Sequence, residues 1–98
     1  MNDNEMTVTR EDGPVRGRYV IQLSPQAEAE MTYRKRPDGS MVIDHTGVPP
    51  NFEGRGVAAR LVKHAIADAR KSGFKITPAC SYVVAQFKRH PEWADLLV

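Results

Sequence analysis

The stretch of this chain that decides its fold runs Pro49-Pro50-Asn51-Phe52-Glu53-Gly54-Arg55-Gly56-Val57-Ala58-Ala59-Arg60-Leu61-Val62. It joins a proline-rich connector to a turn with two glycines, and the turn opens directly into an amphipathic helix. The first N–H groups of a helix have no partner within it and carry a partial positive charge. Glycines let an anion approach that backbone closely, and arginines add counter-charge. The stretch predicts an anion site, with the pyrophosphate of a nucleotide-bearing cofactor as the leading candidate and a plain tight loop as the alternative.

The periodicity of the residues after the turn predicts the helix. Apolar residues recur at i, i+3, i+4, i+7, i+8 and i+11 and form one buried stripe: Ala58, Leu61, Val62, Ala65, Ile66 and Ala69. Gly73 supplies a C-terminal stop. A strand over 74–80 follows, and then a second helix that Ser81 caps and His90-Pro91 ends. The residues expected to face the core from this helix and from the terminal turn are Tyr82, Val83, Ala85, Phe87, Trp93 and Leu96.

Four segments before the glycine turn are predicted as strands. They either alternate apolar and polar residues or are rich in β-branched and aromatic residues, and they cover 6–10, 18–23, 27–34 and 40–46. Turn signals stand at 11–14 and 37–40. A strand, a long helix and another strand indicate a right-handed crossover between parallel strands. The order β-β-β-β-α-β-α predicts an α+β fold with a mostly antiparallel mixed sheet and a central cofactor-binding helix.

Length and composition limit the class of protein that this chain can be. The chain has 98 residues, so we expect one domain over 1–98, with 1–5 as a flexible tail. A net charge of +2 is too small to indicate nucleic-acid binding, and 34–36 reads as a solvated basic cluster. One cysteine allows no internal disulfide and fits a reducing compartment. With neither a signal peptide nor an apolar run of membrane length, the expectation is a cytoplasmic protein without a membrane partner.

The chain resembles the GNAT superfamily of N-acetyltransferases, whose acetyl-CoA signature is Gln/Arg-x-x-Gly-x-Gly/Ala. Gly56 and Ala58 match this signature, while Glu53 stands where the family has Gln or Arg. The segments 45–49, 78–83 and 90–91 extend the likeness to a minimal GNAT-like family of roughly hundred-residue proteins. This resemblance covers about 18–97. The minimal family lacks the segments that build the acceptor pocket in larger GNAT enzymes.

The resemblance implies acetyl-CoA as co-substrate, with no metal, and it implies a set of site residues. Backbone N–H groups would hold the pyrophosphate at Gly54, Arg55, Gly56, Val57 and Ala58. Thr46, Val48 and Tyr82 would complete the cofactor site. The thioester would lie between His45 and Cys80, at the ends of the two strands that flank the long helix.

Two mechanisms stay open within that resemblance. An amine could attack acetyl-CoA directly, with His45 or a bound water taking its proton, which is the preferred route. Alternatively, Cys80 could be acetylated first, since a thiol at a helix N-terminus can be nucleophilic. Each of these residues also has a purely structural interpretation. His45 could form a hydrogen bond with a loop carbonyl, Cys80 could be a small buried apolar residue, and Tyr82 could be a core residue.

The acceptor is an amine of unidentified kind, either a small molecule or a protein or peptide. An open site would favour a protein or peptide amine. A non-catalytic or regulatory CoA- or acyl-CoA-binding module is the alternative function. An exposed early strand could also pair with another subunit in a homodimer.

Overall fold

Nine elements make up the part of the chain that this computed structural model describes, residues 6–98; the tail predicted for 1–5 lies outside it. In chain order they are β1 (Val8–Asp12), β2 (Arg16–Ser24), β3 (Ala27–Lys35), β4 (Met41–Gly47), a 3₁₀ turn (Pro50–Phe52), α1 (Val57–Ser72), β5 (Ile76–Pro78), α2 (Ser81–Arg89) and a second 3₁₀ turn (Pro91–Leu96). The predicted order β-β-β-β-α-β-α is confirmed.

The strands form one sheet in the order β1-β2-β3-β4-β5. The first four pair antiparallel through tight connections, and β5 pairs parallel to β4. Helix α1 is the crossover that parallel pairing requires. The predicted α+β fold with a mostly antiparallel mixed sheet is therefore correct.

The core lies on one face of the sheet, against α1. Alternate strand residues supply it, among them Tyr19, Ile21, Met31, Tyr33 and Ile43, all of which are fully buried. From the helix, five residues of the predicted stripe are buried as expected: Leu61, Val62, Ala65, Ile66 and Ala69. The first residue was wrong, because Val57 is buried in place of Ala58, which is half-buried and lines the pocket described below. Trp93 and Leu96 of the terminal turn join the same cluster, which confirms that this turn docks on the core.

The predicted turn at 11–14 begins too early. Glu11 and Asp12 belong to β1, because both have partners across the sheet: Glu11 accepts from Arg18, and Asp12 accepts from Lys35. Glu11 faces Arg18 directly in the ladder, and such a pair of opposite charges favours a strand, while Asp12 reaches past β2 to Lys35 of β3.

Two predictions for α2 are also wrong. Cys80, not Ser81, is the N-cap, since the Cys80 carbonyl accepts the first helical bond, from the N–H of Val84. Gln86 is buried and Ala85 is exposed, because the side-chain amide of Gln86 reaches the Tyr82 hydroxyl.

The strand predicted over 74–80 is shorter than expected, and its shortness creates an opening. β5 pairs with β4 only from Met41 to Ile43, whereas β4 continues to Gly47. The two strands separate beyond Ile43, and the residues that follow them face the gap.

A bulge in β4 decides which side chains face this gap. Tyr33 pairs with Ile43, but Thr32 pairs with His45, so Asp44 is an extra residue in β4. An extra residue interrupts the normal alternation of side chains between the two faces. The Thr32 hydroxyl, on the face opposite the core, donates to Asp44 Oδ1 at 2.6 Å.

Candidate functional site

The turn before α1 is built from two glycines in the left-handed region. Gly54 has φ 79° and Gly56 has φ 77°, and a Cβ at either position would meet open space. Glycine is therefore required by the backbone conformation rather than by crowding. Gly56 is the N-cap of α1 and has no side chain to satisfy the first N–H groups, and the first turn has no acidic residue. These N–H groups point out of the helix and suit an anion.

A pocket of about 400 Å³ opens beside this turn. Its lining combines the end of β4, the glycine turn, the start of α1 and one residue of α2: Thr46, Val48, Phe52, Glu53, Gly54, Gly56, Val57, Ala58 and Tyr82. Seven of these were named as cofactor-binding candidates from the sequence. Phe52 was not; the only signal for it was an aromatic residue within the proline-rich connector.

Arg55 lies next to this pocket rather than in its lining. Its guanidinium stacks over the Phe52 ring, 5.4 Å from the centroid. It also lines a neighbouring groove along α1 with Arg60, Lys63 and His64. Positive charge is thus concentrated on the α1 side of the pocket, where it complements an anion held by the helix N-terminus.

Glu53 lies at the pocket but does not cap α1. It ends the first 3₁₀ turn, where its N–H donates to the Pro50 carbonyl, and its side chain is exposed. A carboxylate in water loses little by standing near a phosphate, since solvent screens the repulsion.

Thr46 is the residue of β4 that reaches Cys80. Its Oγ1 is 3.4 Å from Cys80 Sγ, within hydrogen-bond range for sulfur. The half-buried thiol packs against the core cluster at the N-cap of α2. The gap between the separated strands therefore contains a hydroxyl and a thiol side by side.

His45 lies on the other face of the sheet. After the bulge it is paired with Thr32, its side chain is 57% exposed, and Nε2 is 3.8 Å from Glu30 Oε2. The sequence placed His45 and Cys80 on either side of one site. In the structure they approach the end of β4 from opposite faces, with Thr46 beside the thiol.

Tyr82 presents a hydroxyl that can donate. Burial raises the pKa of Tyr82 above its usual value of 10, with the charge of Arg89 opposing the shift. The phenol is therefore protonated at neutral pH. Gln86 Nε2 donates to its oxygen at 3.2 Å, which leaves the phenolic proton available to another acceptor. Gln86 had no functional signal in the sequence.

Within residues 6–98, which the structure describes, no group of three or more His, Cys, Asp or Glu side chains is arranged to hold a metal ion. None of the helices in this range has the length and apolar character that crossing a membrane demands.

The separated strands and the glycine turn lie on either side of the end of β4, and comparison with known proteins shows the family to which this arrangement belongs. The family model described as GCN5-related N-acetyl-transferase matches residues 18–96. The chain belongs to the GCN5-related N-acetyltransferase family. This confirms the resemblance seen in the sequence.

A solved structure supports the same conclusion. The NMR solution structure of a GCN5-like protein from Staphylococcus aureus superposes with a TM-score of 0.70 at 27% sequence identity. The alignment covers 96% of this chain and 89% of that one. Among curated proteins, no significant match was found.

Proposed function

We propose that this protein transfers an acetyl group from acetyl-CoA to an amine. One observation carries the proposal: a single pocket is lined both by the uncapped N-terminus of α1 and by Thr46 at the end of β4. One end of the pocket suits a pyrophosphate. The other end lies where the reactive part of an extended ligand would reach.

The chain's residues fit CoA at several points. The N–H groups of Gly56, Val57 and Ala58 can bind phosphate oxygens, and Arg55 and Lys63 add positive charge nearby. Val48 and Phe52 offer apolar surface to the pantetheine arm. Acetyl-CoA, when bound, supplies an acetyl group activated as a thioester.

The preferred route is direct. The amine nitrogen forms a bond to the acetyl carbon, the bond from that carbon to sulfur breaks, and CoA leaves as a thiolate. The amine proton passes to His45 or to a water, and the Tyr82 hydroxyl protonates the thiolate. The proton held by His45 or the water then returns to Tyr82 through solvent, so the products are an N-acetylated amine and CoA and every protein group is restored. Tyr82 lines the pocket and carries a proton that no protein acceptor within residues 6–98 takes, which suits this donor role.

A covalent route through Cys80 is the competing mechanism. The Cys80 sulfur would take the acetyl group first, with CoA leaving, and the amine would then displace the thiol. The Thr46 hydroxyl at 3.4 Å could orient the sulfur in either mechanism. The Cys80→Ala variant separates the two: direct transfer predicts retained turnover, and a covalent route predicts loss together with an acetylated wild-type intermediate visible by mass spectrometry.

Calorimetry with CoA, followed by acetyl-CoA turnover with a panel of polyamines, amino sugars and lysine peptides, tests the proposed function. We expect binding and turnover with at least one amine. Absence of CoA binding at high micromolar concentration would contradict the proposal.

A non-catalytic CoA-binding module is the second candidate. The position of His45 on the face of the sheet opposite to Thr46 and Cys80 favours it. CoA binding without turnover on any amine would support this alternative.

A further inference from the structure

Glu30 lies beside His45 on the polar face of the sheet. The Glu30 carboxylate has two partners on the polar face of the sheet. Its Oε1 accepts from Arg18 Nη1 at 2.9 Å, and its Oε2 lies 3.8 Å from His45 Nε2. Arg18 also donates to Glu11 of β1 through Nε at 2.9 Å and to Glu28 of β3 through Nη1, so loss of Glu11 leaves Arg18 two carboxylate partners on β3. The carboxylate is therefore fixed from one side and presents its second oxygen to the imidazole.

Gly47 leaves room for the imidazole ring. It pairs with Glu30 across the β3–β4 ladder, and a Cβ at this position would come within 3.1 Å of His45 Nε2. Such a contact is tighter than packed atoms normally allow, so a larger residue at 47 would move the ring. The bulge, Glu30 and Gly47 together determine where the imidazole lies.

This arrangement stands next to the cofactor pocket. Glu30 and Gly47 line a shallow groove on the polar face, and Val48 lines both this groove and the pocket beside the glycine turn. The groove and the pocket therefore meet at Val48.

We propose that Glu30 is a positioning residue for proton removal by His45. The inference rests on the proposed acetyl transfer. As the amine nitrogen bonds to the acetyl carbon, its proton moves to the imidazole, which becomes an imidazolium cation. The Glu30 carboxylate stabilises that cation and keeps the ring at the end of β4, while Arg18 keeps the carboxylate in place.

The test compares Glu30→Gln with Glu11→Gln. Both substitutions remove one carboxylate that accepts a hydrogen bond from Arg18, but Glu11 lies on β1, at the far side of the sheet from β4. We expect Glu30→Gln to lower kcat about tenfold, a coupling within the range for side chains in contact. The KM for acetyl-CoA should stay within about twofold, because Glu30 is outside the cofactor pocket. Glu11→Gln should retain wild-type kcat.

A double-mutant cycle separates positioning from a structural effect. His45→Gln should lower kcat by about a hundredfold, the low end of the range for a general base. If Glu30 acts through His45, then adding Glu30→Gln to His45→Gln produces no further loss. Additive losses, or equal effects of Glu30→Gln and Glu11→Gln, would overturn the inference while leaving acetyl transfer intact.

An NMR measurement tests the contact without turnover. The imidazole ¹⁵N shifts of His45 at neutral pH should change in Glu30→Gln and remain unchanged in Glu11→Gln. Unchanged shifts in both variants overturn the inference. A wild-type protein that binds CoA yet acetylates none of the amines overturns the proposed function, and this inference with it.

Discussion

At the N-terminus of α1, the conformation of one residue shapes the proposed anion site. Gly56 has φ 77°, a region where an L side chain costs about 1–2 kcal/mol. Because Gly56 also lacks a capping side chain, the first N–H groups of the helix stay open. The same residue thus makes the turn possible and leaves its donors free.

Gly56→Ala should weaken CoA binding as well as stability. The strain should lower the free energy of unfolding by about 1 kcal/mol, and relaxation of the turn should raise the Kd for CoA about tenfold as the N–H groups move. Calorimetry and urea unfolding measure the two effects.

Gly39→Ala is the matched control, since Gly39 has φ 89°, equally open surroundings and a place in the hairpin between β3 and β4. It should lose similar stability and keep its CoA affinity. Equal loss of affinity in both variants would contradict a specific role for the Gly56 turn.

Among the elements, the first three strands are joined to one another and to α1 by a polar cluster within the fold. Arg10 Nε donates to the Tyr33 hydroxyl at 2.9 Å, and the Tyr19 hydroxyl donates to Asp68 of α1 at 2.9 Å. Asp12 accepts from Tyr33 and from Lys35. This cluster holds the sheet against the helix that carries the site.

Asp12→Asn should make stability less sensitive to acid. Hydrogen bonds from Lys35 and then Tyr33 hold the pKa of Asp12 below its usual value. A carboxyl with a lowered pKa in the folded state stabilises the protein above its unfolded pKa of about 3.9, and this contribution is lost as the pH falls through the folded value. The stability difference between wild type and Asp12→Asn should therefore be largest near neutral pH and shrink in acid.

Urea unfolding at a series of pH values checks the Asp12 prediction. A difference that stayed constant from neutral pH to about pH 2 would show that the carboxylate charge of Asp12 contributes nothing to folding.

For the whole molecule, a single core under α1 has to stabilise a chain of 98 residues. The C-terminal turn closes that core, where the Trp93 ring stacks on His90 at 4.0 Å and meets Phe87 edge-on at 5.5 Å. The turn that follows α2 therefore packs into the same hydrophobic core as the strands.

Trp93→Ala should destabilise the whole fold. Trp93 is 7% exposed, and truncating a buried tryptophan costs about 3–5 kcal/mol. Leu97→Ala is the control, because Leu97 is 40% exposed and should cost about 0.5 kcal/mol or less. Circular dichroism melts of both variants measure the comparison. Similar melting temperatures would mean that the terminal turn is peripheral to the core.

The sequence predicted correctly the features that depend on residues close together in the chain, and it missed features that depend on residues far apart in the chain. The α1 stripe from Leu61 to Ala69 and the hairpin at 37–40 depend on residues a few positions apart, and both were predicted correctly. The end of β1 and the buried Gln86 were missed, since Asp12 meets Lys35 only after the sheet forms and Gln86 is held by a tyrosine hydroxyl. The pocket was largely foreseen because a continuous segment forms most of it.

The sequence by itself determined the order of the elements, the parallel crossover and the glycine turn at the mouth of α1, because local periodicity and backbone preference encode them. Only the tertiary structure decided which side chains meet at the end of β4. The bulge at Asp44 turns His45 to Glu30 on the polar face and leaves Thr46 beside Cys80. Register depends on pairing between strands that are distant in the chain, and one extra residue reverses the face on which every later side chain lies.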